Sequence, residues 1–195
     1  VNVVKSVRPA RPSDALAIAQ VQREAMLEAI SAGLDHRAGP MVGAQLEIGS
    51  LAAAWQATIE DLPSDRHHVL VAVAGDEVEG FAAVAPSPAV ILKGDDESGR
   101  DAESGRPRVA YEITNFSVPL RMASAGHDAR LLAAITDICT DATELHTWAI
   151  AGHDQFTHFL DASGFAPRPL RRHAEVDGEE IREHLWWTTL ERDAD

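Results

Sequence analysis

Cysteine is almost missing from this chain. Cys139 stands alone, which excludes an intrachain disulfide framework and a multi-cysteine zinc site. Tyrosine is as scarce, with Tyr111 the only one. Long apolar runs are also absent. Nothing approaches the ~20 residues of a membrane span, and Val1 to Ala10 has no signal-peptide core. The expected compartment is therefore cytoplasmic, with no membrane partner and no metal centre. Basic charge is the last shortage. Lys plus Arg total 17 against 31 Asp plus Glu, a formal net charge of -14. An acidic surface of this kind repels phosphate backbones, so nucleic acid is excluded as a general partner and cationic substrates are favoured. Against these absences stand 45% hydrophobic and 25% charged residues over 195 positions. That is enough apolar material for a real core, and the length suits one domain over 1–195.

The order of elements follows from apolar spacing and turn chemistry. Val3 to Val7 reads as a strand, and Pro9, Pro12, Ser13 and Asp14 form a turn ending in helix-capping residues. Leu16, Ile18, Ala19, Val21, Ala25, Met26 and Ile30 recur at helical spacing, up to Gly33 and the Gly39-Pro40 break. A second helix is predicted over Ala44 to Asp61, closed by Pro63. His67 to Ala74 and Val78 to Val84 read as a hairpin around Gly75-Asp76-Glu77. Lys93 to Arg108 is polar, without periodicity, and reads as a solvated excursion between strands. Val109 to Val118 is a strand, about Asp128 to Ala142 an apolar helix holding Cys139, and Leu145 to Ile150 a strand. His153 to Ser163 is a short amphipathic helix stopped by Gly164. Arg171 to Val176 and His184 to Leu190 complete the chain. No internal repeat or heptad is present. A strand–helix–strand unit inside a mostly antiparallel chain implies a mixed α/β sheet with helices on both faces.

The segment Tyr111 to Leu132 (YEITNFSVPLRMASAGHDARLL) carries the chemistry. A strand ends, a loop of small residues follows, and a helix begins. Unpaired backbone N–H groups at a helix N-terminus attract anions. Ser124, Ala125 and Gly126 are small enough for a pyrophosphate to come close. A plain strand-to-helix connection would show the same spacing.

In element order and local motifs, roughly Val7 to Leu190 resembles the GNAT superfamily of acyl-CoA-dependent N-acetyltransferases. Gly126-His127-Asp128-Ala129-Arg130-Leu131-Leu132 is similar to the Gly-His-Gly-Ser-Arg-Leu-Leu variant of that family's cofactor loop, and His153 to Phe165 to its helix ending in Gly-Phe. The resemblance implies a twisted, mostly antiparallel sheet of about seven strands. It implies that the strand carrying Asn115 to Val118 splays from the one carrying Thr147 to Ile150, with the pantetheine arm of acetyl-CoA in the gap against Phe116 and Val118. The pyrophosphate would lie on Ala123, Ser124, Ala125, Gly126, His127 and Asp128, and the Val118 N–H would polarise the thioester carbonyl. Glu112 aligns with a general base that deprotonates the incoming ammonium. Asn115 is the candidate for orienting the substrate, and His127 and His146 are weaker base candidates. The acceptor would be a primary amine on a small molecule or a peptide, and family habit adds a homodimer.

Four positions depart from the pattern. Ala123 stands where Arg or Gln is usual, with Arg121 two residues earlier as a substitute. Asp128 replaces a glycine and would set a carboxylate beside the pyrophosphate. Leu160 stands where many members carry a thiolate-protonating tyrosine, and His153 replaces an asparagine. These departures support an alternative, a degenerate domain acting as an interaction or regulatory module.

Overall fold

The computed structural model describes residues 3–36, 38–92, 100, 105 and 107–190, without the side chain of Met41. Most of the polar excursion expected at 93–108 thus lies outside the described residues. Seven strands, β1 (Lys5–Pro9), β2 (His68–Ala74), β3 (Glu77–Ser87), β4 (Ala110–Ser117), β5 (Glu144–Ile150), β6 (Ala166–Val176) and β7 (Glu179–Thr189), form one sheet in the order β1-β2-β3-β4-β5-β7-β6. Every neighbouring pair is antiparallel except β4 and β5. The helices are α1 (Ala15–Gly33), α2 (Pro40–Gln45), α3 (Ile48–Glu60), α4 (His127–Ile138) and α5 (Asp154–Ala162).

Alternation along the strands sends side chains to two cores. Val69, Val71, Val73 and Phe81 meet Ile18 and Val21 of α1 and Trp55 of α3 on one face. Leu70, Ala82, Ile113 and Leu145 meet Leu131 and Ile135 of α4 and Leu160 of α5 on the other. The parallel β4–β5 pair needs a crossover, and α4 supplies it. Gly80 of β3 lets this crossover close in. A Cβ there would stand 3.1 Å from a Val118 methyl and 3.2 Å from the Ser117 carbonyl oxygen.

Three sequence expectations are corrected. The helix expected over Ala44 to Asp61 is two helices, because the Glu47 carboxylate accepts from Gly49 N–H at 2.8 Å and Ser50 N–H at 2.6 Å and starts α3 afresh. Gly39-Pro40 lies beyond the end of α1, as a break should, but it also opens α2, since Pro fits the first helical position. The helix expected to reach Ala142 stops at Ile138, so the buried Cys139 is its C-cap rather than an interior residue. The last two strands also start earlier than expected. β6 is an edge strand, where proline is tolerated, and its register shifts between Pro167 and Arg171.

Candidate active site

The site is built on an irregularity in β4. Ile113 pairs with Val84 and Asn115 pairs with Ala83, so Thr114 is an extra residue, a β-bulge. The parallel ladder to β5 runs from Ala110–Glu144 to Ile113–Thr147 and stops at the bulge. Thr147 Oγ1 donates to the Ile113 carbonyl at 2.9 Å beside this last pair. Beyond it, Thr114 to Ser117 and Trp148 to Ile150 have no ladder between them; the resemblance implied such a parting, which here starts after Thr147 rather than at it.

Phe116 fills one side of the gap. Its ring stacks on Phe156 and Phe159 of α5, with centroids 5.6 and 5.4 Å away. The remaining cleft, lined also by Val118, Gln155 and Asp128, has a volume of only about 30 Å³. Gln155 Oε1 is buried with no hydrogen-bond partner.

The loop after β4 is a 3-10 turn, Leu120–Ala125, ending at Gly126 with φ +69°, a left-handed conformation that suits glycine. The helix then begins at His127, one residue before the expected start, and Asp128 falls in its first turn. Ala123 and Ser124 are exposed and Ala125 and Gly126 half-buried. Arg121 is engaged elsewhere: its Nε donates to Glu24 of α1 at 2.9 Å. The Leu120 N–H donates to Glu28 Oε2 at 2.9 Å, and burial holds the Glu28 carboxyl above its ordinary range. Arg130 Nη1 donates to the carbonyls of Ala125 and Gly126 at 2.9 and 2.8 Å. The His127 ring points away from the loop surface. It is fully buried, with Nε2 2.6 Å from Glu79 Oε2, which removes the side chain from reach of any substrate.

The two candidate catalytic residues occupy one face of the sheet but different surroundings. Glu112 Oε2 lies 3.7 Å from Nε2 of the buried His146. The neighbouring His146 ring outweighs desolvation and holds the Glu112 carboxyl below its ordinary range, with a smaller contribution from the charge on Arg172. Asn115 instead lines a pocket of about 400 Å³ between α1, α3 and the sheet, together with Gln22, Trp55, His67, His68 and Thr114. Burial pushes the His68 imidazole below its ordinary range. Ala85, which pairs directly with Glu112, also lines this pocket, so Glu112 stands on the face just beyond it.

No family model matches the chain, and no curated protein matches it in sequence. Solved structures do. An acetyltransferase of the GNAT family from Streptococcus pneumoniae is 15% identical, with a TM-score of 0.58 over 96% of this chain and 100% of that one. The fold is that of the GNAT acetyltransferases. NAA60 from Arabidopsis thaliana, solved with a bisubstrate analogue, has 15% identity and a TM-score of 0.65 over 95% of this chain and 98% of its own. PaiA N-acetyltransferase from Thermoplasma acidophilum, solved with coenzyme A, has 13% identity and a TM-score of 0.65 over 96% and 99%. On this GNAT fold, the structure adds residues that sequence reasoning passed over. Gln22, Glu24 and Glu28 lie on α1 and Trp55 on α3, and Glu79 sits in β3. Helical periodicity marks the α1 residues as polar but not what they meet. His67 and His68, read as a strand start, turn out to be pocket wall.

Proposed function

We propose that this chain is an acetyl-CoA-dependent N-acetyltransferase that acts on a primary amine by direct attack. The observation that carries the reading is the parting of β4 and β5 at the Thr114 bulge, with the open N-terminus of α4 beyond it. A slot between strands and a helix N-terminus in line with it suit an extended molecule with an anionic end. The coenzyme A and bisubstrate complexes of the structural neighbours support the same substrate.

The fit has two parts. The backbone of Ala123 to Asp128 suits a pyrophosphate, because the side chains are small and Gly126 turns the chain. The side chains suit it less. The Asp128 carboxylate lines the cleft, and like charges about 4 Å apart repel by about 4 kcal/mol at an effective dielectric of 20. Arg121 would have to leave Glu24 to help. A cleft of about 30 Å³ also means that the Phe116, Phe156 and Phe159 rings must separate to admit a pantetheine arm.

In this reading the amine enters from the 400 Å³ pocket on the opposite face, where Asn115 orients it. Glu112 takes the ammonium proton, with water spanning the distance. An alkylammonium with pKa near 10 needs that step before it is nucleophilic. The amine nitrogen then attacks the thioester carbon, and the carbonyl oxygen gathers charge against the Val118 N–H. The C–S bond breaks, the thiolate leaves, and the extra proton on nitrogen goes to solvent. Leu160 is buried and has no acidic proton to give, so the thiolate takes its proton from Ser117, Ser124 or water.

The second reading, a degenerate domain without catalysis, is favoured by Asp128 and by the Arg121–Glu24 pair. Calorimetry with acetyl-CoA separates the two, with Asp128→Gly alongside. Micromolar binding by the unaltered chain supports the enzyme and justifies an amine screen read as released thiol. Binding only after Asp128→Gly supports an eroded site.

A further inference from the structure

The acidic composition favours cationic acceptors, yet the 400 Å³ pocket has no Asp, Glu, Lys or Arg in its wall. Leu51, Ala54, Leu62 and the Trp55 ring make most of it apolar. Three of its polar groups, Trp55, Gln22 and Asn115, are ordered by a chain of hydrogen bonds with a fixed direction. An indole Nε1 can only donate. Trp55 Nε1 donates to Gln22 Oε1 at 2.6 Å, which settles which end of the Gln22 amide is oxygen. Gln22 Nε2 therefore faces Asn115, and it donates to Asn115 Oδ1 over a longer 3.4 Å. The reverse orientation of Asn115 would bring two NH2 groups together. With Oδ1 turned to Gln22, the Asn115 Nδ2 hydrogens are left for whatever occupies the pocket.

We propose that this pocket takes an amine with an apolar, otherwise uncharged body and a carbonyl oxygen that accepts from Asn115 Nδ2, as in the amide of an aromatic amino acid. Gln22 and Trp55 are positioning residues that set this polarity. The assignment of the occupant as an acetyl acceptor rests on the acetyltransferase reading, whereas the binding preference does not. A polycationic amine does not fit, because a second ammonium would be desolvated against apolar walls with no counter-charge.

The test compares two amines with the same aromatic body, phenylalanine dimethylamide and 2-phenylethylamine, with spermidine as the polycation. Binding to the full chain is measured by calorimetry, with and without coenzyme A. The dimethylamide has a carbonyl acceptor and no amide N–H, and it should bind about 2–10-fold tighter than 2-phenylethylamine, the effect of one net hydrogen bond. Gln22→Glu should abolish or reverse that ratio. Its carboxylate accepts from both Trp55 and Asn115 and so turns the Asn115 oxygen toward the pocket. The ratio is measured at about pH 6, below the pKa of about 7.7 of an α-amino group, so that both amines are cations and the added charge cancels. Thermal unfolding and coenzyme A binding of the variant check that it is folded. Equal binding of the pair, a ratio unmoved by Gln22→Glu, tighter binding of spermidine, or no binding of either aromatic amine would overturn the proposal. Failure of the acetyltransferase reading looks different: the amine ratio holds while acetyl-CoA neither binds nor releases thiol.

Discussion

Asp14 shows what a single carboxylate does here. It accepts from the Arg11 N–H at 2.7 Å and from the Arg8 guanidinium at 2.7 and 2.9 Å. The Arg8 hydrogen bond is the main reason that its carboxyl lies below the ordinary range. A depressed folded value means that the stabilisation is fully present above the unfolded value of about 3.9 and is lost as pH falls through the folded value. Asp14→Asn should therefore cost about 1–3 kcal/mol at neutral pH and flatten the acid limb of stability measured by urea unfolding. Glu112 is low for a different reason, the neighbouring His146. It is ionised at neutral pH and ready to accept a proton. Glu112→Gln should lower kcat/KM for acetyl transfer by about 10²–10⁴-fold. His146→Leu removes the main lowering contribution and leaves desolvation against only the smaller pull of Arg172, so the acid limb of the pH–rate profile should move to higher pH. An unmoved limb would detach His146 from the base.

At the scale of elements, Glu144 ties distant segments together. It is 1% exposed, at the start of β5. Its oxygens accept from Arg108 at 2.6 Å, from Val90 N–H at 3.2 Å and from Trp187 Nε1 at 3.1 Å. Arg108 also donates to the Val90 carbonyl at 2.9 Å, so both ends of the connection between β3 and β4 are clamped to β5. Removing one partner of a buried ion pair leaves the other charge uncompensated. Glu144→Ala should cost about 3–5 kcal/mol in chemical denaturation, far more than an exposed pair such as Arg121–Glu24. The sequence showed the elements that Glu144 joins but not the joint. Its residue type at a strand start is unremarkable, and its partners come from three separate segments.

The whole molecule carries a net charge of -14 and is proposed to bind a polyanion. Long-range repulsion should slow encounter, and salt should relieve it. The association rate for acetyl-CoA, followed by stopped flow, should rise between about 0.02 and about 0.2 M salt, opposite to the trend of a basic cleft. A falling rate would mean that the local field of the α4 N-terminus and of Arg121 and Arg130 dominates the approach.

Apart from α2, the sequence alone determined the kinds of element and their order, because these follow from local causes. Apolar spacing distinguishes helix from strand, and Gly, Pro, Ser and Asp mark the turns between them. The same local signal placed a small-residue loop and a helix start at Ala123 to Asp128, and the resemblance in that stretch named the fold. Tertiary structure decided the rest. The Thr114 bulge shows only in how β4 pairs with β3, and no residue of YEITNFSV announces it. Whether Arg121 is free depends on Glu24, 97 positions away. The polarity of Asn115 depends on Gln22, 93 positions away, and through it on Trp55. Such pairings arise only when the sheet brings α1 and α3 over β4. Hydrogen-bond direction and charge pairing act over a few ångströms in space, and one chain read in order does not contain those distances.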